Sequence, residues 1–379
     1  MKVPFQPSAR ASLGVEWELE LVDKRSGELT SAASEILAEI APTPGEEHPK
    51  AKHELLESTI EIITGICQTV DEACKDLAVT LDEVSAAADR RGLDVMCSGT
   101  HPTTDWMTQS ISPNPRYAQL VEDMQWLARR LQIFGVHVHV GVRSFDKAIP
   151  INNALTAYVP HFLALSASSP YWIGTDTGLA SARSKVFEGL PTAGLPYALT
   201  GWDDFEDYLE TLISTRTIET IREVWWDIRP HPNFGTVELR ICDGLPTLEE
   251  IGVVAALSQC LVESFDRQLD RGYVLPTPKS WVVRENKWRA ARYGLDAEII
   301  LDDHGSTIRP AREAILDLAD DLMPIARKLD CEKELARVEH VLQVGASYER
   351  QRAAAAAADG DLRAVVALLV DEMKHGLPA

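Results

Sequence analysis

Strict alternation of apolar and polar residues marks the N-terminal part of the chain. Between residues 12 and 23, apolar side chains occupy every second position, and Glu16, Glu18 and Glu20 occupy positions between them. A period of two is typical of a β-strand whose two faces meet different surroundings. The stretch therefore predicts a strand with an apolar face for the core and three glutamates side by side on the other face.

A row of carboxylates on one strand has two interpretations. Like charges repel, so the glutamates either face open water or surround cations. For an isolated Glu-X-Glu-X-Glu the solvated face is the commoner outcome. Hard oxygen ligands of this kind also suit Mg²⁺ or Mn²⁺. The choice depends on whether other strands supply matching ligands.

A second acidic stretch follows a loop at residues 42–52. There the β-branched residues alternate, so Glu57 and Glu61 share one face while Ile60 and Ile62 turn into the core. Glu54 is out of step with this alternation and needs a bulge or a helical turn to join them. The stretch predicts a second strand with acidic ligands.

Two later stretches also alternate. Valines alternate with His137 and His139, which predicts a strand with both imidazoles on one face. In residues 235–243 the pattern places Glu238 and Arg240 together. These two residues either pair with each other or divide the work, with the carboxylate on a metal and the arginine on a phosphate.

Helical periodicity appears in nine stretches, four of them after residue 247. The pattern predicts one catalytic domain over residues 1–379, with a sheet-bearing core at about 10–265 and a helical C-terminal part at about 266–379 that has no chemistry of its own. The predicted helices are residues 70–91, 117–132, 152–168, 202–215, 218–223, 248–267, 310–329, 332–344 and 362–374.

Composition restricts the classes of partner. The 379 residues include 45% hydrophobic and 25% charged residues, which is ordinary for a globular protein. A net charge of −21 argues against nucleic acid or an anionic membrane as a partner. Neither a signal-peptide pattern nor a long apolar run is present, so we expect a cytoplasmic protein that acts on small molecules. The oligomeric state stays open, and a homo-oligomer is compatible with the sequence.

Together the polar faces predict a concave antiparallel sheet that holds several divalent cations. Several cations and arginines suit transfer of a phosphoryl group from ATP, where positioning and charge neutralisation provide most of the catalysis. The chain has no Walker A motif or dinucleotide fingerprint, so a nucleotide must bind at this sheet. The candidates for nucleotide contacts are His139, Arg183, Arg229 and Arg240.

The same residues carry a family resemblance. From about residue 13 to about residue 261, the motifs and their order resemble those of the glutamate–cysteine ligase type 2, or carboxylate–amine ligase, family. The resemblance implies an α+β, glutamine-synthetase-like fold, in which a curved antiparallel sheet carries the active site and helices cover its outer face. The matching segments are Gly14-Val15-Glu16-X-Glu18, residues 57–64, Gly99-Thr100-His101-Pro102, and residues 135–142, 176–183 and 225–243.

The resemblance also implies a reaction. ATP phosphorylates a substrate carboxylate, and an amine then displaces the phosphate to form an amide. Glutamate is the expected acid, cysteine or another amine is the partner, and glutamate–cysteine ligase activity is expected to be weak. ATP and Mg²⁺ (or Mn²⁺) are the implied cofactors, and Glu238 and Arg240 are the implied catalytic residues. The metal ligands implied by position are Glu16, Glu18, Glu54, Glu61, His137 and Glu238.

Three other functions remain open from the residues alone. A guanidino kinase-like phosphotransferase would use a similar sheet and keep the transferred phosphate on its product. A metal-dependent hydrolase would be built around His137 and His139 and would turn over without ATP. A protein that keeps the fold for binding alone would need no complete set of ligand-type residues, which makes it the weakest alternative.

Overall fold

An antiparallel sheet of seven strands lies at the centre of the computed structural model, which describes residues 2–378. The sheet contains β1 (Leu13–Asp23), β2 (Ala51–His53), β3 (Thr59–Ile63), β4 (Leu93–Met96), β5 (Val136–Gly141), β8 (Ile228–His231) and β9 (Thr236–Leu239), and two short hairpins contain β6 (Tyr171–Trp172) with β7 (Thr175–Asp176) and β10 (Glu298–Ile300) with β11 (Ile308–Pro310). The strand order is β2-β3-β1-β5-β9-β8, and β4 also pairs with β1. The long strand β1 is thus the hub of the sheet.

Helices account for most of the remaining described chain. They are α1 (Ala33–Ile40), α2 (Val70–Asp89), α3 (Pro115–Met124), α4 (Trp126–Arg129), α5 (Phe145–Leu155), α6 (Val159–Ser166), α7 (Arg183–Phe187), α8 (Trp202–Ser214), α9 (Leu248–Asp270), α10 (Ser280–Tyr293), α11 (Ala311–Ala326), α12 (Glu332–Val344), α13 (Ser347–Ala357) and α14 (Arg363–His375). None of the helices within residues 2–378 is long and apolar enough to cross a membrane.

The core lies on the apolar face of the sheet. The alternate residues of β1 are buried there and share one hydrophobic cluster with residues of α2, α5 and α9. Trp17 is fully buried in this cluster, and its indole Nε1 donates to the carbonyl of Leu245 at 3.0 Å. Burial of each large apolar side chain contributes about 1.5–3 kcal/mol. The alternation of β1 therefore anchors one face and leaves the other face for the glutamates.

The register of the sheet aligns the polar residues of neighbouring strands. Glu18 on β1 lies opposite Glu61 on β3, and Glu16 lies opposite His137 on β5. On the other side of β5, His139 lies opposite Glu238 of β9. A slip of one residue would exchange the two faces of a strand, so the buried apolar face also enforces this alignment.

Most predicted elements are present, but two predicted helices are divided. The prediction at 117–132 becomes α3 and α4, which are separated at Gln125, where φ is +49°. The prediction at 152–168 becomes α5 and α6 with a 3-10 turn between them, and Pro160 lies in the first turn of α6. Proline lacks an amide hydrogen and is tolerated best at the start of a helix, which favours a new helix at this point.

Other elements also differ from the predictions, and three of them are instructive. The prediction at 218–223 forms only a 3-10 turn at Ile221–Glu223. Neither α1 nor α10 was predicted from periodicity. In α10 the buried positions include Asn286 and Lys287, so polar residues interrupt the apolar stripe. A pattern method treats such a segment as exposed, because it cannot see the partners that satisfy these groups.

The C-terminal helices share the core of the sheet. The hydrophobic cluster that begins at Leu13 extends through α11 and α12 to Tyr348. Helix α12 packs on α9, which in turn packs on β5. The helical C-terminal part therefore supports the strand that carries the two histidines.

Candidate active site

The polar face of the sheet brings carboxylates and imidazoles into direct contact. His137 Nδ1 lies 3.0 Å from Glu16 Oε2, and His137 Nε2 lies 4.0 Å from Glu18 Oε1. His139 Nε2 lies 3.1 Å from the other carboxylate oxygen of Glu16. Both histidines are buried. The alternation of β1 and β5 therefore produces a cluster of ligand-type groups.

The donor set fits divalent cations in two adjacent positions. Ligand atoms of Glu16, His137 and Glu238 lie within 4.8 Å of one another, and the same holds for Glu18, Glu61 and His137. Carboxylate oxygens with a single imidazole favour Mg²⁺ or Mn²⁺ over Zn²⁺, which prefers nitrogen and sulfur. His137 belongs to both groups, so it lies between the two positions.

Glu18, Glu54 and Glu61 form the acidic half of the site. Burial raises the pKa of Glu18 to about 8, and the nearby charge of Glu54 acts in the same direction. Burial and the charges of Glu16, Glu54 and Glu18 raise the pKa of Glu61 well above its ordinary value. For Glu54, burial is again the largest cause of a raised pKa, although the backbone amide of Leu55 donates to its carboxylate at 2.9 Å. In this half the neighbouring positive charges do not offset the cost of ionising the carboxyl groups.

Glu16 and Glu238, with His139, Arg229 and Arg240, form the paired half of the site. Burial alone would raise the pKa of Glu238, but the charges of Arg229 and Arg240 lower it well below its ordinary value. The pKa of Glu16 is also lowered, because His139 and His137 outweigh its burial. In this half, protein cations already compensate the carboxylates.

The two arginines of the paired half use their donors differently. Arg229 Nε donates to Glu238 Oε2 at 2.7 Å, and its Nη1 donates to the carbonyls of Ile221 and Val224 at 3.0 and 2.9 Å. Arg240 Nη1 pairs with Glu238 Oε1, and its buried Nε has no protein partner. Arg229 is thus held by the protein on several sides, whereas Arg240 retains a free donor.

Arg183 lies behind the acidic half. Its guanidinium is buried beside Gly135 and within 3.5 Å of the carbonyls of Arg240 and Ile241. A Cβ atom at position 135 would lie only 2.3 Å from Nη2 of Arg183, so a larger residue there would displace the guanidinium. The amide of Gly135 also donates to Glu18 at 2.5 Å. Arg183 therefore supplies positive charge beneath Glu18. Its Nη1 and Nη2 point to main-chain carbonyls, and its buried Nε has no protein partner.

Several acids and motif residues do not join the cluster. Glu57, expected on the same face as Glu61, lies before β3 and accepts from the amide and hydroxyl of Ser34 at 3.2 and 2.6 Å. Glu20 accepts from the amide and hydroxyl of Ser98, each at 2.9 Å. His101 contacts the carbonyl of Gly27 at 3.0 Å, and Asp176 pairs with Arg352. These residues fix loops and helix ends around the site.

A buried ion pair behind β8 was missed by the sequence reasoning. Lys287 of α10 is 2% exposed, and its Nζ lies 2.5 Å from Asp227 and 2.6 Å from Glu188. Asp227 comes directly before β8, and its carbonyl accepts from the amide of Arg240 at 2.8 Å. The only local signal was an aspartate between apolar residues, because its partner lies sixty positions away.

Two aromatic residues at the turn between β8 and β9 were also missed. His231 continues the polar face of Arg229 by simple alternation, and Phe234 stacks on it. At the acidic end, the hydroxyl of Tyr117 donates to the carbonyl of His53 at 3.0 Å. The polar row is therefore bounded by an aromatic residue at each end.

Comparison with known proteins gives a consistent family. The sequence model described as glutamate-cysteine ligase family 2 matches residues 12–368. A protein of Frankia alni, provisionally named glutamate–cysteine ligase 2-1, is 63% identical over 379 residues, which is 100% of this chain and 99% of that one. The match covers every residue of the proposed site.

Solved structures show a similar fold at low sequence identity. A bifunctional glutathione synthetase of Pasteurella multocida has a TM-score of 0.68 and 15% identity, over 96% of this chain and 52% of that one. The glutamate–cysteine ligase of Francisella tularensis, solved in complex with AMP, has a TM-score of 0.67 and 14% identity, over 100% of this chain and 91% of that one. The match to the family model and the extent of the similarity to the Frankia protein together establish that this chain belongs to glutamate–cysteine ligase family 2.

Proposed function

We propose that this chain joins glutamate to cysteine or another amine through an acyl phosphate, with two or more Mg²⁺ or Mn²⁺ ions at the polar face of the sheet. Membership of the family makes it an ATP-dependent carbon–nitrogen ligase. The observation that carries the proposal is the pair of adjacent donor groups that share His137. Such a site suits phosphates of ATP, because phosphoryl transfer depends on neutralised and positioned charge.

The residues that would hold the cations divide between the two halves. Glu16, His137 and Glu238 form one candidate ligand set, and Glu18, Glu61 and His137 form the other. Glu54 adds negative charge beside the second set. When bound, the cations supply charge neutralisation for the phosphates and for the carboxylate that attacks.

The chain's own cations are assigned separate roles. Arg240 is proposed to contact the transferred phosphate, because it lies beside Glu238 and keeps an unpartnered buried donor. His139 is proposed to contact the nucleotide from the same side. The donors of Arg229 are taken by Glu238 and by main-chain carbonyls, so we assign Arg229 to positioning Glu238 rather than to the phosphate. Arg183 is assigned to the charge balance beneath Glu18.

The architecture is part of the proposal. A mixed fold with an antiparallel sheet and helices on its apolar face is in place, and we propose that it is a glutamine-synthetase-like fold whose sheet curves around the substrates. We further propose that the whole chain acts as one catalytic unit. The shared hydrophobic cluster from Leu13 to Tyr348 supports this.

The test is ADP release over a panel of amino acids and amines, with Mg²⁺ and in excess chelator. We expect ADP only with Mg²⁺ or Mn²⁺, and most with glutamate and an amine together. A second arm replaces the amine with hydroxylamine, because only an acyl phosphate yields a hydroxamate. ADP without hydroxamate would favour a phosphotransferase that keeps its phosphate on the product, and turnover without ATP would favour a hydrolase at His137 and His139.

A further inference from the structure

The turn between β8 and β9 presents an aromatic surface beside the site. The rings of His231 and Phe234 are stacked, with centroids 4.1 Å apart and planes 8° from parallel. His231 is only 5% exposed, whereas Phe234 is 54% exposed. The imidazole therefore covers one face of the phenyl ring, and the opposite face is open.

The main chain holds this open ring in place. The amide of Val142 donates to the carbonyl of Gly235 at 2.8 Å, and the hydroxyl of Ser8 donates to the carbonyl of Phe234 at 2.6 Å. The turn also packs closely on Gln6, since a Cβ atom at position 235 would lie 1.8 Å from its carbonyl oxygen. Gly235 has φ of +61°, a backbone conformation that favours glycine. An aromatic ring fixed in this way loses little freedom when a ligand stacks on it.

The ring lies at the paired end of the polar row. The imidazole of His139 has its centroid 5.7 Å from that of Phe234 and 5.8 Å from that of His231. The same imidazole contacts Glu16 at 3.1 Å. From the spacing of strands and residues, the Cα atoms of His231 and Glu238 are about 8 Å apart. A molecule that stacks on Phe234 therefore extends naturally towards Glu16, Glu238 and Arg240.

From this placement we infer that Phe234, supported by His231, is the stacking surface for the purine base of the nucleotide whose phosphates reach the paired half. The inference rests on the proposed use of ATP. Any nucleobase has a flat π-face, and an aromatic side chain can stack on it largely independently of which base it is. Burial lowers the pKa of His231 to about 4, so the supporting ring is neutral at pH 7 and can stack without the cost of a buried charge.

The aromatic residue at the acidic end of the row does not offer an equivalent open ring. Tyr117 lies there, but it is 8% exposed and its hydroxyl is bound to the carbonyl of His53. Its surroundings are the carboxyl groups of Glu54 and Glu61, which offer no positive charge to a phosphate unless cations are bound. The difference between the two ends therefore favours one orientation of the nucleotide, with its base at Phe234.

The test compares ATP with inorganic tripolyphosphate, which has the phosphates and no base. Dissociation constants of both are measured by calorimetry in Mn²⁺ on the wild type and on Phe234→Ala, Phe234→Leu and Phe234→Tyr. We expect Phe234→Ala and Phe234→Leu to weaken ATP binding roughly tenfold or more and to leave tripolyphosphate unchanged. Phe234→Tyr keeps the π-face and should retain the wild-type affinity. Tyr273→Ala is the matched control, because Tyr273 is an aromatic residue of similar exposure outside the polar row.

The outcomes separate this inference from the proposed function. Unchanged ATP affinity in Phe234→Ala, with wild-type binding intact, overturns the stacking surface and leaves the ligase proposal standing. Weaker binding of ATP and tripolyphosphate by the same factor means that the turn, not the base contact, was disturbed, and this also overturns the inference. A wild type that does not bind ATP overturns both. An increase in the KM of the amine alone would reassign Phe234 to the amine substrate.

Discussion

The two halves of the site contain similar carboxylates in opposite electrostatic states. In the paired half, Arg229, Arg240 and His139 lower the pKa values of Glu238 and Glu16. In the acidic half, burial and mutual repulsion raise the pKa values of the glutamates. The carboxylates of Glu16, Glu18, Glu61 and Glu238 are on neighbouring strands of one sheet face. The difference arises from which cations the flanking segments bring to each end.

This contrast indicates how the site is completed. The carboxylates of the paired half are neutralised on folding, because their ion pairs form within the chain. The acidic half concentrates carboxyl groups whose ionisation the chain does not compensate, and bound cations stabilise the ionised form of such a cluster. The paired half is therefore expected to contribute to folding, and the acidic half is expected to cost folding free energy until metal binds.

The largest effect is expected for Glu238→Gln. Loss of one carboxylate at the proposed metal should lower the rate of ADP release by at least about 10³-fold, since a bound metal contributes several kcal/mol to catalysis. The variant should also lose about 3 kcal/mol of unfolding free energy, because two buried arginines lose their anion. Denaturant unfolding and ADP release are measured on the same preparation. Glu46→Gln, at an exposed loop position, is the control, and unchanged stability of Glu238→Gln would contradict the division into halves.

The next effect distinguishes the two arginines. Arg240→Lys keeps the charge but loses the planar fork, and should lower kcat by roughly 10²–10³-fold with little change in ATP affinity. Arg229→Lys leaves main-chain carbonyls without their donor and should reduce the unfolding free energy by about 1–3 kcal/mol. The measurements are kcat, ATP binding and denaturant unfolding. Arg240 would belong to the scaffold if its lysine variant lost stability and kept its rate.

Binding of metal to the acidic half should appear as thermal stabilisation. At a concentration one hundred times its dissociation constant, Mn²⁺ or Mg²⁺ adds about 2.7 kcal/mol to the unfolding free energy. Glu18→Gln and Glu61→Gln should reduce this gain, because each removes an oxygen ligand from the second donor group. Melting curves are recorded in chelator and in saturating Mn²⁺ with ATP. A wild-type curve that does not shift under these conditions would contradict the metal cluster as a whole.

The smallest effect has the opposite sign. In chelator, Glu61→Gln should raise the unfolding free energy, because burial and the charges of Glu16, Glu54 and Glu18 raise the pKa of Glu61 and a neutral amide removes this cost. In saturating Mn²⁺ the same variant should be less stable than the wild type and should not release ADP. Denaturant unfolding in the two conditions measures the reversal. Destabilisation in chelator would mean that Glu61 is already satisfied within the folded chain, as Glu238 is.

The face of each ligand strand was predictable because it depends on a local period. Glu16, Glu18, His137 and Glu238 were placed on polar faces from alternation alone, and the structure has them there. Trp17 belongs to the apolar face that the alternation predicts, and it is fully buried. The roles of these residues as ligands stay predictions.

What could not be predicted depends on partners distant in sequence. Glu57 has the same residue type and parity as Glu61, yet Ser34 at the start of α1 takes it out of the row. Glu20 is removed in the same way by Ser98. The division of the site into two halves could not be predicted either, because the cations of the paired half come from turns and neighbouring strands. Helix α10 was not predicted, because a lysine such as Lys287 is normally exposed and the sequence does not show that it is buried.

The ion pair of Lys287 with Asp227 has a consequence for how this chain can vary. The two residues lie in different parts of the chain, one on α10 and one directly before β8. Loss of Lys287 would leave Asp227 buried without its cation, and loss of Asp227 would leave Lys287 with Glu188 alone. A substitution at one position should therefore persist in descendants only together with a compensating change at the other. Chimaeras between relatives that join the sheet of one to the helices of another are expected to express poorly when the junction separates a mismatched pair. The sheet and the helices are therefore expected to vary together among relatives, although the helices follow the sheet in the chain.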